Sequence, residues 1–156
     1  MPASVRTLTP VLIVDAIEPI LPFWVDRLGW TVAATVPHPP DATAPDAPLG
    51  FALLVRDGVQ LMYQTHASVA ADVPAGMPSG PTTADATGLF VEVDDLDAVA
   101  AALGDLPLVL PRRRTFYGME ELGVREPGGR IVTFARPLPA PGDAPGHAHD
   151  DGAHHG

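Results

Sequence analysis

Two adjacent carboxylates, Glu120 and Glu121, begin a strand-like run in TFYGMEELGVREPGGRIVTF, residues 115–134. Apolar alternation on both sides of Pro127-Gly128-Gly129 predicts a β-hairpin. Paired carboxylates could bind a divalent cation, or act as acid and base if their surroundings separate their pKa values. The second strand has no charged residue at positions 131–134, so the hairpin alone does not complete a metal site.

An internal repeat places this hairpin in a larger unit. VLIVDAIEP at 11–19 aligns with FVEVDDLDA at 90–98, and DGVQLMY at 57–63 aligns with GGRIVTF at 128–134. Because the matched segments occur in the same order, the sequence predicts two copies of one unit.

Each copy is predicted to contain a strand, a helix and three further strands. In the first copy, helical spacing begins at Ile17 and Gly29 ends the helix, which Pro22 should delay or kink. In the second copy, Asp94 or Asp95 caps a helix that Gly104 ends. The predicted strands are residues 7–14, 30–36, 50–56, 59–65, 88–93, 106–110, 120–126 and 130–135.

Composition divides the chain and excludes several functions. We predict modules at 1–66 and 87–136, a linker at 67–86, and a disordered tail at 137–156 that is rich in Pro, Ala, Asp and His. A net charge of −10 argues against nucleic-acid and anionic-membrane partners, and the absence of cysteine excludes thiolate sites. With neither a long apolar run nor a secretion signal, we expect a cytoplasmic protein.

The tandem βαβββ pattern, with TPVLIVDAIEPILPFWVDRLGW opening the first copy and YGMEELGVREPGGRIVTFA closing the second, resembles the vicinal oxygen chelate superfamily. That group includes glyoxalases, extradiol dioxygenases and bleomycin-resistance proteins. The resemblance, over residues 7–136, implies an α+β fold of two tandem βαβββ modules, with curled mixed sheets around a cavity and helices on the outside. It is nearest to the metal-free, bleomycin-resistance-like branch and implies a homodimer.

Metal-using relatives hold their ion with His or Glu side chains from the first and last strands of each module. The resemblance carries those positions to Thr9, Met62, Gly88 and Thr133, none of which offers a carboxylate or an imidazole. Shifting the register by one residue gives no better set of ligands. We therefore expect no cofactor and no metal in the fold.

Strand alternation and position in loops select the candidate ligand-binding residues. Glu92 and Glu121 could contact a cationic ligand or act as an acid and base pair, but each could equally pair with an arginine. Glu120, on the opposite side of its strand from Glu121, is expected to reach solvent. The candidate ligand-binding residues are Trp30, Gln60, Met62, Gln64, Phe90, Glu92, Phe116, Tyr117, Glu121 and Thr133.

Three functions therefore remain open. The first is a metal-free binding protein that sequesters an apolar or cationic small molecule, such as an antibiotic. The second is a metal-independent enzyme of the same fold that uses Glu121 for acid and base chemistry. The third is metal binding through the tail, where the candidate ligands are His147, His149, His154 and His155.

Overall fold

Two four-stranded mixed sheets form the protein, for which we describe a computed structural model over residues 2–73 and 86–140. The first sheet has the order β1-β4-β3-β2 and the second β5-β8-β7-β6, and within the described residues neither closes into a barrel. The strands of the first sheet are β1 (Val11–Val14), β2 (Thr31–Pro37), β3 (Leu49–Arg56) and β4 (Val59–Thr65). Those of the second are β5 (Leu89–Glu92), β6 (Leu108–Arg114), β7 (Met119–Arg125) and β8 (Ile131–Pro137).

The internal repeat has the same pairing register in both sheets. Strand β1 runs parallel to β4 with Val11 opposite Met62, and β5 runs parallel to β8 with Phe90 opposite Thr133. The sequence alignment matches these same pairs to one another. The predicted α+β fold of two βαβββ modules is therefore confirmed, and residues in one module can be compared directly with their counterparts in the other.

The helix of the first module begins later than residue 17. Residues 17–20 form a turn in which the Ile20 N–H donates to the Ile17 carbonyl at 2.9 Å, and a π-helix then spans Pro22–Arg27. Pro19 would fall in the first turn, where the N–H groups are unpaired in any helix, but Pro22 has no N–H and would remove one backbone hydrogen bond from a regular helix through this stretch. The apolar spacing still buries Ile17, which lies in the core.

Turn and cap residues act as expected. Asp57 and Gly58 have φ of 49° and 77°, the left-handed values of a two-residue hairpin turn. Helix α2 (Leu96–Leu103) is capped by Asp95, whose carboxylate accepts from the Ala98 N–H at 3.0 Å. An additional helix, α1 (His66–Asp72), occupies the start of the predicted linker and is capped by Thr65.

The modules share one hydrophobic core. The buried face of β4 presents Leu61 and Tyr63, and that of β8 presents Val132 and Phe134, in a single cluster with the helical segments. The Arg27 guanidinium also donates to the Leu103 carbonyl of the other module at 2.8 Å. No helix in the described part of the chain is long and apolar enough to cross a membrane.

Two predictions fall partly outside the described residues. Residues 74–85 include most of the predicted linker, and residues 141–156 include the histidines proposed as weak metal ligands. Strand β8 extends to Pro137, so the ordered second sheet reaches the first residue of the predicted tail.

Candidate functional site

A cavity of about 570 Å³ lies between the modules. Its walls come from the segment before β1, the start of β4 and strand β5. The apolar lining consists mainly of Trp24, Trp30, Leu61, Leu89 and Val91. A volume within the roughly 300–1,000 Å³ of known ligand sites, with mostly apolar walls, suits a small organic molecule.

Polar groups are few in this cavity and lie on one part of its wall. The Thr9 hydroxyl donates to the Gln60 side-chain oxygen at 3.2 Å, joining the segment before β1 to β4. Within the described part of the chain, Glu92 is the only charged residue that lines the cavity, and it forms no ion pair there. The alternative that Glu92 pairs with an arginine is therefore not seen among the described residues.

Trp24 lines the cavity, and hydrogen bonds fix the position of its indole ring. Its indole N–H donates to the Tyr63 hydroxyl at 2.9 Å, and that hydroxyl donates to Glu126 Oε2, also at 2.9 Å. The rings of Trp24 and Trp30 meet edge to face, with centroids 5.1 Å apart. Burial and the negative charge of Glu126 raise the pKa of Tyr63 far above its ordinary value, so the phenol stays protonated and keeps donating.

A second cavity of about 580 Å³ adjoins the first. The two share Trp30, Val59, Val91 and Glu92 as walls. The second cavity is more polar, because Asp26, Asp57, Asp94 and both Arg27 and Arg56 border it. A ligand that enters between the modules therefore meets an apolar chamber on one side of Glu92 and a charged groove on the other.

Glu121 lies apart from these cavities, in a closed network on the second sheet. Only 1% of it is exposed, Arg113 donates to Oε1 at 2.8 and 3.0 Å, and the Tyr117 hydroxyl lies 2.8 and 2.7 Å from the two oxygens. Burial raises the pKa of Glu121, but these hydrogen bonds outweigh burial and leave the pKa below its ordinary value. A carboxylate so stabilised in its charged form is a poor base.

The expectation that Glu120 reaches solvent was wrong. Glu120 is buried, and its carboxylate accepts from Arg112 at 2.6 and 3.0 Å, with Arg114 and Arg136 also within 4 Å. The hydrogen bond from Arg112 is the main cause of a lowered Glu120 pKa. Alternation separated Glu120 from Glu121 correctly, but β6 extends to Arg114 and so brings Arg112 and Arg114 to Glu120, while Arg136 comes from β8.

Comparison with known proteins identifies the fold. No family model and no curated protein matches the sequence. A glyoxalase/bleomycin resistance protein/dioxygenase from Nocardioides superposes with a TM-score of 0.64 at 14% identity, covering 94% of this chain and 91% of that one. A lactoylglutathione lyase from Agrobacterium tumefaciens gives 0.61 at 14% identity, covering 86% and 95%. This chain has the vicinal oxygen chelate fold. A glyoxalase-related enzyme from Fulvimarina pelagi is also similar, with a TM-score of 0.56 at 17% identity and coverage of 84% and 87%.

The metal-ligand positions expected for the vicinal oxygen chelate fold do not fit a divalent cation here. Thr9 is bonded to Gln60, Met62 offers only a thioether, and Gly88 has no side chain. The fourth position, Thr133, offers only a hydroxyl. A hard or borderline cation is bound by carboxylate or imidazole groups, and none of the four positions has one. No cluster of three potential ligands (His, Cys, Asp or Glu) occurs within residues 2–73 and 86–140.

The remaining candidate residues are distributed over this fold rather than gathered in one site. Trp30, Gln60, Phe90 and Glu92 border the first cavity. Met62, Gln64 and Thr133 are half-buried on strand faces and do not line it. Phe116, which is fully exposed, contacts the Tyr117 ring edge to face with centroids 5.1 Å apart.

Several residues that line the first cavity were not among the sequence-based candidates, including Trp24, Leu89 and Val91. Trp24 is buried in the core, and Leu89 and Val91 lie on the half-buried face of β5 that packs against that core. These residues are packed with the core and also border the cavity. Local periodicity carries no signal for this, because the cavity depends on how one module meets the other.

Proposed function

We propose that this protein binds an apolar small molecule in the cavity between its modules, without a metal ion and without altering the ligand. The observation that carries this proposal is the cavity itself, where two tryptophans, Phe90 and Gln60 surround about 570 Å³ beside a single carboxylate, Glu92. Sequestration of an antibiotic or another apolar compound is the activity we infer.

The metal-free character rests on the residues at the family's ligand positions, Thr9, Met62, Gly88 and Thr133. The enzyme alternative is less well supported, because Glu121 already accepts hydrogen bonds from Arg113 and Tyr117. A general base needs a pKa near the working pH, whereas the pKa of Glu121 lies below that of an ordinary glutamate. Metal binding by the histidine-rich tail stays a separate prediction.

Tryptophan fluorescence tests the proposal directly, because Trp24 and Trp30 are the only tryptophans in the chain and both line the cavity. We would titrate the protein with N-phenyl-1-naphthylamine, an uncharged apolar dye that brightens in apolar surroundings. Binding should quench the tryptophans as the dye brightens. A ligand that binds only the folded state should also raise Tm, since at 100 times its Kd it adds about 2.7 kcal/mol of stability.

Two matched variants locate the dye. Gln60→Phe places a ring in the cavity and should weaken binding by about tenfold or more, equivalent to about 1.4 kcal/mol. Gln64→Phe is the control, because Gln64 lies on the same strand face but not at the cavity, and it should retain wild-type affinity. Equal affinity in all three proteins, or a loss confined to Gln64→Phe, would contradict the proposal.

We also propose that the protein is a cytoplasmic homodimer. The support for dimerisation is apolar exposure on edge strands away from the cavities, where Val36 of β2 and Val109 of β6 are 40% and 43% exposed. A second copy could cover such surface. Light scattering across a dilution series would give a dimer mass under this proposal and a constant monomer mass if it is wrong, and cell fractionation tests the location.

A further inference from the structure

The internal repeat places two corresponding positions between the modules. A long side chain fills one of these positions, and the other is open. The repeat aligns Val59 of β4 with Arg130, which directly precedes β8, and Ile13 of β1 with Glu92 of β5. Arg130 reaches Ile13 of β1, and Val59 borders the same cavities as Glu92 of β5, so the two aligned positions each face the first strand of the other module. Val59 and Arg130 therefore occupy the same position of the repeat. We call this position filled where it carries Arg130 and open where it carries Val59.

In the filled version, the Arg130 side chain lies against the free edge of β1. Only 7% of Arg130 is exposed, and its Nη2 donates to the Ile13 carbonyl at 2.9 Å. The Glu126 carboxylate of the same turn accepts from the Arg130 backbone N–H at 2.7 Å and from the Tyr63 hydroxyl at 2.9 Å. At this position the strand-edge carbonyl binds one nitrogen of the guanidinium, whereas Nε and Nη1 are buried without a hydrogen-bond partner among the described residues.

In the open version, Val59 is too short to reach the neighbouring module, and it lines both cavities instead. The Val93 N–H donates to the Ala135 carbonyl at 2.8 Å, so Val93 directs its backbone groups toward β8. Alternate residues of a parallel strand bond to opposite neighbours, so the Glu92 carbonyl faces the free edge of β5, as the Ile13 carbonyl faces that of β1.

The strand-edge acceptor of the filled version is therefore repeated in the open one, whereas Glu126 is not, because the repeat aligns it with Val55. The Glu92 carbonyl takes the place of the Ile13 carbonyl, and the Glu92 carboxylate adds a negative charge that Ile13 lacks. Planar guanidinium groups suit such acceptors, because they present several N–H donors in a fixed arrangement. Beyond these acceptors, the walls of Trp24 and Trp30 are apolar and can pack against a ligand body.

We propose that the open position between Val59 and Glu92 binds the guanidinium group of a small-molecule ligand whose apolar body lies against Trp24 and Trp30. This inference rests on the proposed function and specifies its ligand class. The ligand takes at β5 the place that the Arg130 side chain takes at β1.

A pair of probes that differ only in charge tests this inference. 4-Phenylbutylguanidine carries the cation, whereas 4-phenylbutylurea has nearly the same shape and is neutral. Measured by tryptophan quenching, the guanidine should bind about tenfold more tightly than the urea, as charge-assisted hydrogen bonds are about twice as strong as neutral ones. Glu92→Gln should abolish most of that preference, and added salt should reduce it.

A second variant places a guanidinium group of the protein itself at the open position. Val59→Arg places at the open position the residue that fills its counterpart, and it should abolish binding of the guanidine. Val73→Arg is the matched control, because it adds the same charge at an exposed site that does not border either cavity, and it should bind as the wild type does. Circular dichroism establishes that each variant is folded, and if Val59→Arg is not, Glu92→Gln decides.

The outcomes separate this inference from the function on which it rests. Equal binding of the guanidine and the urea would overturn the inference and leave the apolar cavity as the ligand site. Wild-type affinity in folded Val59→Arg would overturn it as well. If neither these probes nor N-phenyl-1-naphthylamine bind to the wild-type protein, the proposed function fails and the inference fails with it.

Discussion

Replacing Tyr63 with phenylalanine should destabilise the protein by about 3 kcal/mol. The Tyr63 hydroxyl is fully buried, accepts from Trp24 Nε1 and donates to Glu126 Oε2. Phenylalanine keeps the ring but leaves a buried indole N–H and a buried carboxylate oxygen without this partner. Each unsatisfied buried group costs about 1–3 kcal/mol, and the two together give the stated estimate.

Urea denaturation measures this loss, since the midpoint should fall while the m-value stays unchanged. Thr9→Val is the control, because the Thr9 hydroxyl also donates to a side-chain oxygen, that of Gln60, but this hydrogen bond is exposed to solvent. Water can replace the lost partner there, so the control should lose less than about 1 kcal/mol. A loss for Tyr63→Phe no larger than that of the control would refute the claim that this hydroxyl joins the modules and holds Trp24.

Two further predictions concern stability. Because the Glu121 pKa is held below its ordinary 4.5, its charged form stabilises the fold above that pH, and this stability is lost as the pH falls through the lower folded value. Thermal melts from neutral to acidic pH should therefore show a steeper decline below about pH 4.5 for the wild type than for Glu121→Gln, and parallel curves would contradict this. Asp95→Ala should lower the free energy of unfolding, measured by urea denaturation, by about 1 kcal/mol because it removes the cap of α2. Asp94→Ala is the control and should leave the stability nearly unchanged, since Asp94 is not the cap. Equal losses in the two variants would show that the cap is not responsible.

Much of the fold was predictable because its determinants are local. Alternation defines β4 as Val59–Thr65 as predicted, and the Asp57-Gly58 turn fixes the register of its hairpin. The repeat then predicts the second sheet from the first. The helix at Pro22–Arg27 was less predictable, since apolar spacing does not distinguish a π-helix that begins at Pro22 from a longer α-helix. The module boundaries stay a prediction.

The site was predicted only in part. Position on strands selected Gln60, Phe90 and Glu92, and these do border one cavity. Alternation also grouped Glu121 with them, but it gives no information on distance across the sheet or on partners such as Arg113. The position of the cavity depends on how the two modules pack together, which local patterns do not predict. It also depends on single residues such as Val59, and the importance of Val59 is recognised only when it is compared with Arg130.

The central claim is that the ligand site lies between the modules, and a crystal structure of the complex with N-phenyl-1-naphthylamine tests it most directly. The account predicts the dye against Trp24 and Trp30, with Glu92 at the mouth of its chamber. Dye bound instead on the strand faces around Met62 and Thr133, with the cavity between the modules left without it, would contradict the account.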